Sequence, residues 1–272
     1  MAAFFEICLL GIIFAQTFYY FTRCFRDAVT LRALVGIAVC SMCVKGVLDV
    51  WTVWCHLIYL ELRVTRPTIP WEILVAIPLG QVPILTSQAY LCFRVWVASG
   101  RKKLPVAIGA LASLSSTAFF CVYVVSRIIH ESSDDDSVPI WIPPWAFGTG
   151  VTDVYLSLTF VYYVLYTRQQ PVCNRLDYML FRLASLVVTS CLPPALISLV
   201  MAILEVTAST GTACWVFFTV IIGGIYMVCI LYSLNSRRQI LEEAYARRSG
   251  KVVPSSNTRP SGGPRREPTR YI

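Results

Sequence analysis

Charged residues are scarce in this sequence. They make up 14% of its 272 residues, whereas 57% are hydrophobic, and an average soluble domain has about 25% charged residues. Too few charges remain to cover a water-facing surface of this size, which excludes an ordinary soluble domain. The apolar residues come instead in blocks of about 20, the length at which a helix crosses roughly 30 Å of hydrocarbon. The sequence therefore predicts an integral membrane protein.

Several chemical signatures are also missing. The chain has no GxSxG, HExxH or P-loop motif and no usable GxGxxG. Its 11 cysteines lie mostly inside apolar blocks, and the CxxC pair Cys40 and Cys43 lacks the second pair that a zinc site needs. The consecutive aspartates Asp134–Asp136 point in different directions, unlike a metal-binding motif spaced along a helix. We therefore expect no metal and no cofactor, and we lean against an enzyme.

Seven apolar blocks run through the chain, and they predict an all-α bundle of seven transmembrane helices. Their approximate bounds are 4–22, 33–60, 71–97, 104–127, 145–167, 178–204 and 213–235. Together they define a transmembrane domain over 1–238. Residues 239–272 are predicted to form a basic, largely disordered cytosolic tail, since the end of the chain is rich in Ser, Pro, Gly and Arg. Within it, 239–248 could extend the seventh helix.

The distribution of basic residues predicts the orientation. The first, third and fifth loops and the tail carry seventeen Lys and Arg residues, and the other three loops carry three. Because the positive side faces the cytoplasm, the N-terminus is predicted outside and the C-terminus inside. The net charge of +8 is then explained by anionic lipid at the cytoplasmic loops and tail, not by nucleic acid. Plasma membrane and endomembrane fit equally well.

A stripe of ionisable residues follows one face of the second helix. Lys45, Asp49 and His56 fall within about 40° of one another at 100° per residue. Charged groups at mid-membrane cost about 2.5–3.5 kcal/mol each, so they should face the bundle interior. One hypothesis is a ligand-binding or proton-handling site. The other is a structural Lys45–Asp49 ion pair at i, i+4, with His56 extending to the outer interface.

Three further polar groups lie within the apolar blocks. Gln88 and Asp153 are additional candidates for ligand or proton binding, although Gln88 also suits interhelical hydrogen bonding. Glu6, near the outer end of the first helix, is a weaker candidate acid and could simply be exposed to solvent. Asp153 begins the fifth helix near the outer face.

Prolines predict kinks in the third and sixth helices, at Pro78 and Pro83 and at Pro193–Pro194. Neighbouring groups can satisfy the freed carbonyls, as is common in membrane helices. The alternative is a cavity between these two helices.

The order of residues along the chain resembles a large, mainly basidiomycete fungal family of seven-pass membrane proteins, labelled domain of unknown function 6534. The resemblance implies the fold and a fungal origin, and it implies no established activity. Two departures occur, at 184–186 and at Val228, where the family often has Asn-Thr-Gly and Asn. The resembling residues are Gly11, Gln16, Tyr20, Leu48-Asp49, His56, Gln88, Phe93-Arg94, Asp153, Tyr162-Tyr163, Thr189-Ser190, Tyr226 and Leu234-Asn235-Ser236-Arg237.

Three functions remain open. The first is a sensor or a binding protein for a small lipophilic ligand, with the helix-two stripe facing the bundle. The second, suggested by resemblance to small seven-helix fungal terpene cyclases, is a membrane-embedded enzyme with Glu6, Asp49 or Asp153 as proton donor. Lys45 argues against Asp49 in that role, because it favours the ionised carboxylate. The third is a transporter, although the sequence has no internal repeat.

Overall fold

The computed structural model describes residues 2–23, 28–61, 71–130, 142–168, 174–207 and 214–248. These residues form seven helices and no strand, which confirms the predicted all-α class. The aspartates at 134–136 and the tail from 249 onward lie outside the described residues. The helices are α1 (Ala2–Arg23), α2 (Val29–Glu61), α3 (Trp71–Ala98), α4 (Lys103–His130), α5 (Ile142–Arg168), α6 (Asn174–Thr207) and α7 (Cys214–Arg248).

Five of the helices contain segments long and apolar enough to cross a membrane. These segments are Ala2–Arg23, Val29–Ile58, Leu74–Ala98, Lys103–Ser126 and Phe217–Arg237, and α6 contributes a shorter apolar piece, Val188–Leu204. Large apolar side chains such as Phe18 (73% exposed) and Leu104 (75% exposed) point outward from the bundle. A surface of this kind suits lipid rather than water. The chain is thus a multi-pass membrane protein, while its orientation stays a prediction.

Several helices extend beyond the apolar blocks from which they were predicted. The last one, α7, continues to Arg248, so the proposed boundary at 238 lies inside a helix, as the possible extension over 239–248 allowed. Likewise α6 begins at Asn174, before the apolar block that starts near 178. Hydropathy marks the part of a helix that matches the hydrocarbon, and polar residues continue the same hydrogen-bonded backbone past it.

The third helix is central in the bundle. It packs against α2, α4, α5 and α7, while α1 packs against α7 and α2. The contact with α7 is close because two glycines meet there: a Cβ added to Gly223 would lie 2.9 Å from the carbonyl oxygen of Gly80. Small residues allow such approach between membrane helices.

Contacts at both ends of α1 fix its direction relative to α7. The rings of Phe5 and Phe217 lie 5.5 Å apart at one end, and Asn235 donates to the carbonyl of Gln16 near the other end. The first and last helices are therefore parallel neighbours. This places the starts of α1 and α7 on the same side of the bundle.

Candidate functional site

Lys45 lies at the centre of a buried ionic cluster that joins three helices. Its ammonium nitrogen is 2.5 Å from Glu6 Oε1 of α1, 2.5 Å from Asp49 Oδ2 of α2 and 3.2 Å from the backbone carbonyl of Val220 in α7. An ammonium group has three N–H donors. All three are therefore engaged, and one cation is shared by two carboxylates.

The Lys45–Asp49 pair follows from helix geometry, since residues four apart lie on one face. Glu6 was expected near a wet helix end, but its side chain is only 2% exposed, because α2 and α7 enclose it. Its second oxygen, Oε2, has no hydrogen-bond partner among the described residues. The weaker candidate from the sequence thus belongs to the cluster.

His56 does not join this cluster, and its side chain is exposed. The helical wheel places it on the same face as Asp49, but it lies seven residues, or about 10 Å, further along α2. His56 therefore lies too far along α2 to reach Lys45 and Glu6, and the expected three-residue stripe is interrupted.

A cavity of about 400 Å³ borders the ionic cluster. It lies in the half of the bundle where α1, α3, α5 and α7 begin, and its wall is mostly apolar. Lys45 and Asp49 are the formally charged residues among those that line it. The full lining consists of Ala3, Lys45, Asp49, Thr52, Val53, Leu74, Ala76, Ile77, Gly80, Gln81, Ile84, Phe120, Tyr123, Trp145, Thr219, Val220 and Ile222.

Two buried polar side chains in this wall have no partner within the described part of the chain. Both amide atoms of Gln81, which is 4% exposed, and the indole Nε1 of Trp145, 3% exposed, make no hydrogen bond there. Unpaired buried polar groups are costly and uncommon in proteins. Neither residue was predicted from the sequence, although Gln81, between Pro78 and Pro83 in an apolar helix, was a visible signal.

The cavity differs from the one that the prolines suggested between the third and sixth helices. It is lined by α3, but no described residue of α6 contributes to it. Near its prolines, α6 is closely packed: the Ser198 hydroxyl donates to the Pro194 carbonyl at 2.9 Å, and Gly150 of α5 faces the Ala195 carbonyl.

The remaining candidates, Gln88 and Asp153, belong to a second polar cluster away from the cavity wall. Tyr226 of α7 donates its hydroxyl to Asp153 Oδ2. The Gln88 amide donates to Asp153 Oδ1 at 3.4 Å, and Ser113 of α4 donates to Gln88 Oε1 at 2.5 Å. Ser198 of α6 lies 3.4 Å from the Tyr226 oxygen. This cluster connects five helices, and its hydrogen-bonding groups are paired with one another.

A buried arginine near the opposite end of α3 was not selected from the sequence. Arg94 is 8% exposed, and its guanidinium lies 4.5 Å from the centre of the Tyr90 ring. Its two terminal nitrogens have no hydrogen-bond partner among the described residues. Stacking on an aromatic ring offsets part of the cost of burying the charge.

The helices, the apolar exterior and the buried ionic cluster define a multi-pass α-helical membrane protein. Within it, residues 149–239 match the family described as a family of unknown function, DUF6534. Over that segment the match confirms the resemblance to this family seen in the sequence, while the fungal origin stays a prediction. The segment contains Asp153 and Tyr226, whereas Lys45 and Asp49 precede it. No curated protein and no solved structure matches the chain.

Proposed function

We propose that this protein is a non-enzymatic receptor or binding protein for a small lipophilic molecule, which it holds in the cavity beside Lys45 and Asp49. The observation that carries the proposal is the pairing of an apolar space with unpaired polar groups in its wall. The cavity has a volume of about 400 Å³, and ligand pockets commonly span roughly 300–1,000 Å³.

The unpaired groups support a ligand better than they support a purely structural role. Gln81 offers the two N–H donors and the acceptor oxygen of its amide, and Trp145 offers an indole N–H. Burying these groups without partners costs about 1–3 kcal/mol each, and that cost is removed when a ligand supplies the missing partners. A mostly apolar ligand with one or two polar atoms matches such a wall.

The proposal is tested with a neutral, alkyne-tagged lipophilic probe that carries a photoreactive diazirine. The protein is reconstituted in zwitterionic nanodiscs and irradiated, and labelled peptides are identified by mass spectrometry. We expect saturable labelling at residues of the cavity wall, in competition with the untagged compound. Labelling that rises linearly with probe and falls only on lipid-facing residues would contradict the proposal.

A matched pair of variants on α3 tests the location. Ala76 lines the cavity and is 3% exposed, whereas its neighbour Val75 is 43% exposed and does not line it. Ala76→Phe fills the space and should abolish most saturable labelling. Val75→Phe adds a ring on the outer face and should leave labelling unchanged. Equal labelling of the two variants would place the ligand elsewhere.

A further inference from the structure

The ionic cluster at the cavity wall contains two acidic side chains and one basic side chain. One ammonium, that of Lys45, contacts two carboxylates, those of Glu6 and Asp49, at 2.5 Å each. When both acids are ionised, the group carries one excess negative charge. The other residues described around the cavity carry no formal charge that would balance it.

With both acids ionised, the cluster can accept a hydrogen bond from a ligand but has no donor to offer. Lys45 uses its three N–H groups on Glu6, Asp49 and the Val220 carbonyl. A ligand carboxylate or phosphate could bind Lys45 only by displacing one of these acceptors, and it would add a further negative charge in a space of low dielectric constant. Anionic amphiphiles are therefore poor ligands for this cavity.

Asp49 is the carboxylate of the cluster that a ligand can reach. Its side chain is 19% exposed and lines the cavity, whereas Glu6 is 2% exposed and lies behind Lys45. A protonated amine next to Asp49 would neutralise the excess charge and donate hydrogen bonds to the carboxylate. At the same time, Gln81 and Trp145 remain available for a hydroxyl or carbonyl elsewhere on the ligand.

From this geometry we infer that the ligand is a lipophilic amine: an apolar molecule with one protonated nitrogen that pairs with Asp49, and with a hydrogen-bond acceptor for Gln81 or Trp145. The inference rests on the proposed function and specifies its ligand class. It follows from the charge count and the donor count of the cluster together with the open cavity beside it.

The test uses three photoreactive probes with the same ten-carbon chain and different head groups: a primary amine, an alcohol and a carboxylate. Each is applied to the full chain in zwitterionic nanodiscs, and protein labelling is divided by lipid labelling to correct for partition. We expect the amine to reach half-saturation at a concentration at least tenfold lower than the alcohol, and the carboxylate to be weaker than both.

Two variants test whether excess charge is the cause. Asp49→Asn removes the contact and the charge, and Glu6→Gln removes the charge without touching the cavity wall. In each variant, the half-saturating concentrations of the amine and the alcohol should differ by less than threefold. If Asp49→Asn fails to fold, Glu6→Gln and the three-probe comparison on the unmodified protein still decide.

The outcomes separate the two proposals. Saturable labelling with equal half-saturating concentrations for the amine and the alcohol, or with a lower one for the carboxylate, overturns the lipophilic-amine inference. It leaves the proposed binding function standing. That result would also follow if a proton, rather than a ligand nitrogen, neutralised the cluster. An absence of saturable cavity labelling by all three probes overturns the proposed function itself.

Discussion

Replacing Lys45 with methionine tests the energetic role of the ionic cluster directly. The change keeps the length and much of the volume of the side chain but removes the cation that Glu6 and Asp49 share at 2.5 Å each. Two carboxylates would then face each other in a buried site. Removing one partner of a buried ion pair costs about 3–5 kcal/mol, and we expect Lys45→Met to lose stability in that range.

The free energy of unfolding can be measured in mixed micelles by SDS titration, followed by circular dichroism at the helical band. Lys103→Met provides the control, because Lys103 is exposed at the start of α4, and such surface changes usually stay within about 0.5 kcal/mol.

Neutralising all three charges together gives the second arm of this test. In the triple variant Lys45→Met, Glu6→Gln and Asp49→Asn, no unpaired charge remains, so at least half of the lost stability should return. Our account of the cluster would be refuted if Lys45→Met and Lys103→Met had the same stability. It would also fail if the triple variant were as unstable as Lys45→Met alone.

Two other predictions concern helix packing and the second polar cluster. Gly223→Ala places a methyl group 2.9 Å from a carbonyl oxygen of α3 and should lower the free energy of unfolding by about 1–3 kcal/mol. The control Gly36→Ala, where nothing lies within 4 Å of the added methyl group, should be neutral. Equal SDS-unfolding curves for the two variants would argue against the close α3–α7 contact. Asp153→Ala leaves the Tyr226 hydroxyl without the carboxylate that accepts its hydrogen bond and should lower the free energy of unfolding by about 1–3 kcal/mol in the same assay. Asp153→Asn should retain most of the stability. Identical losses for both variants would show that the hydrogen bonds contribute little.

The helices and one ion pair could be predicted because both depend on local sequence. Apolar blocks specify helices that cross hydrocarbon, and the spacing of Lys45 and Asp49 places their side chains together within a single helix. The same spacing rule was insufficient for His56. A helical wheel gives the direction of a side chain but not which groups of neighbouring helices lie within its reach.

The rest of the site depends on which helices are neighbours, and hydropathy does not contain that information. Glu6 meets Lys45, and Val220 supplies its carbonyl, only because α1 and α7 both pack against α2. Gln81 and Trp145 face one cavity because α3 and α5 meet there. The residues that meet in these contacts are dozens of residues or more apart in sequence. Helical spacing cannot predict contacts over such separations.

The contact between the first and last helices also bears on how the protein is made. Lys45 and Asp49 can enter the bilayer already paired, because both are on α2. The Val220 carbonyl that completes the coordination of Lys45 is on α7, which is synthesised after the other described helices. The main packing partner of α1 is this same helix. Until α7 is synthesised, Glu6 therefore lacks one of the two helices that enclose it. A nascent chain interrupted before α7 therefore lacks one of the three acceptors of Lys45 and the main packing partner of α1.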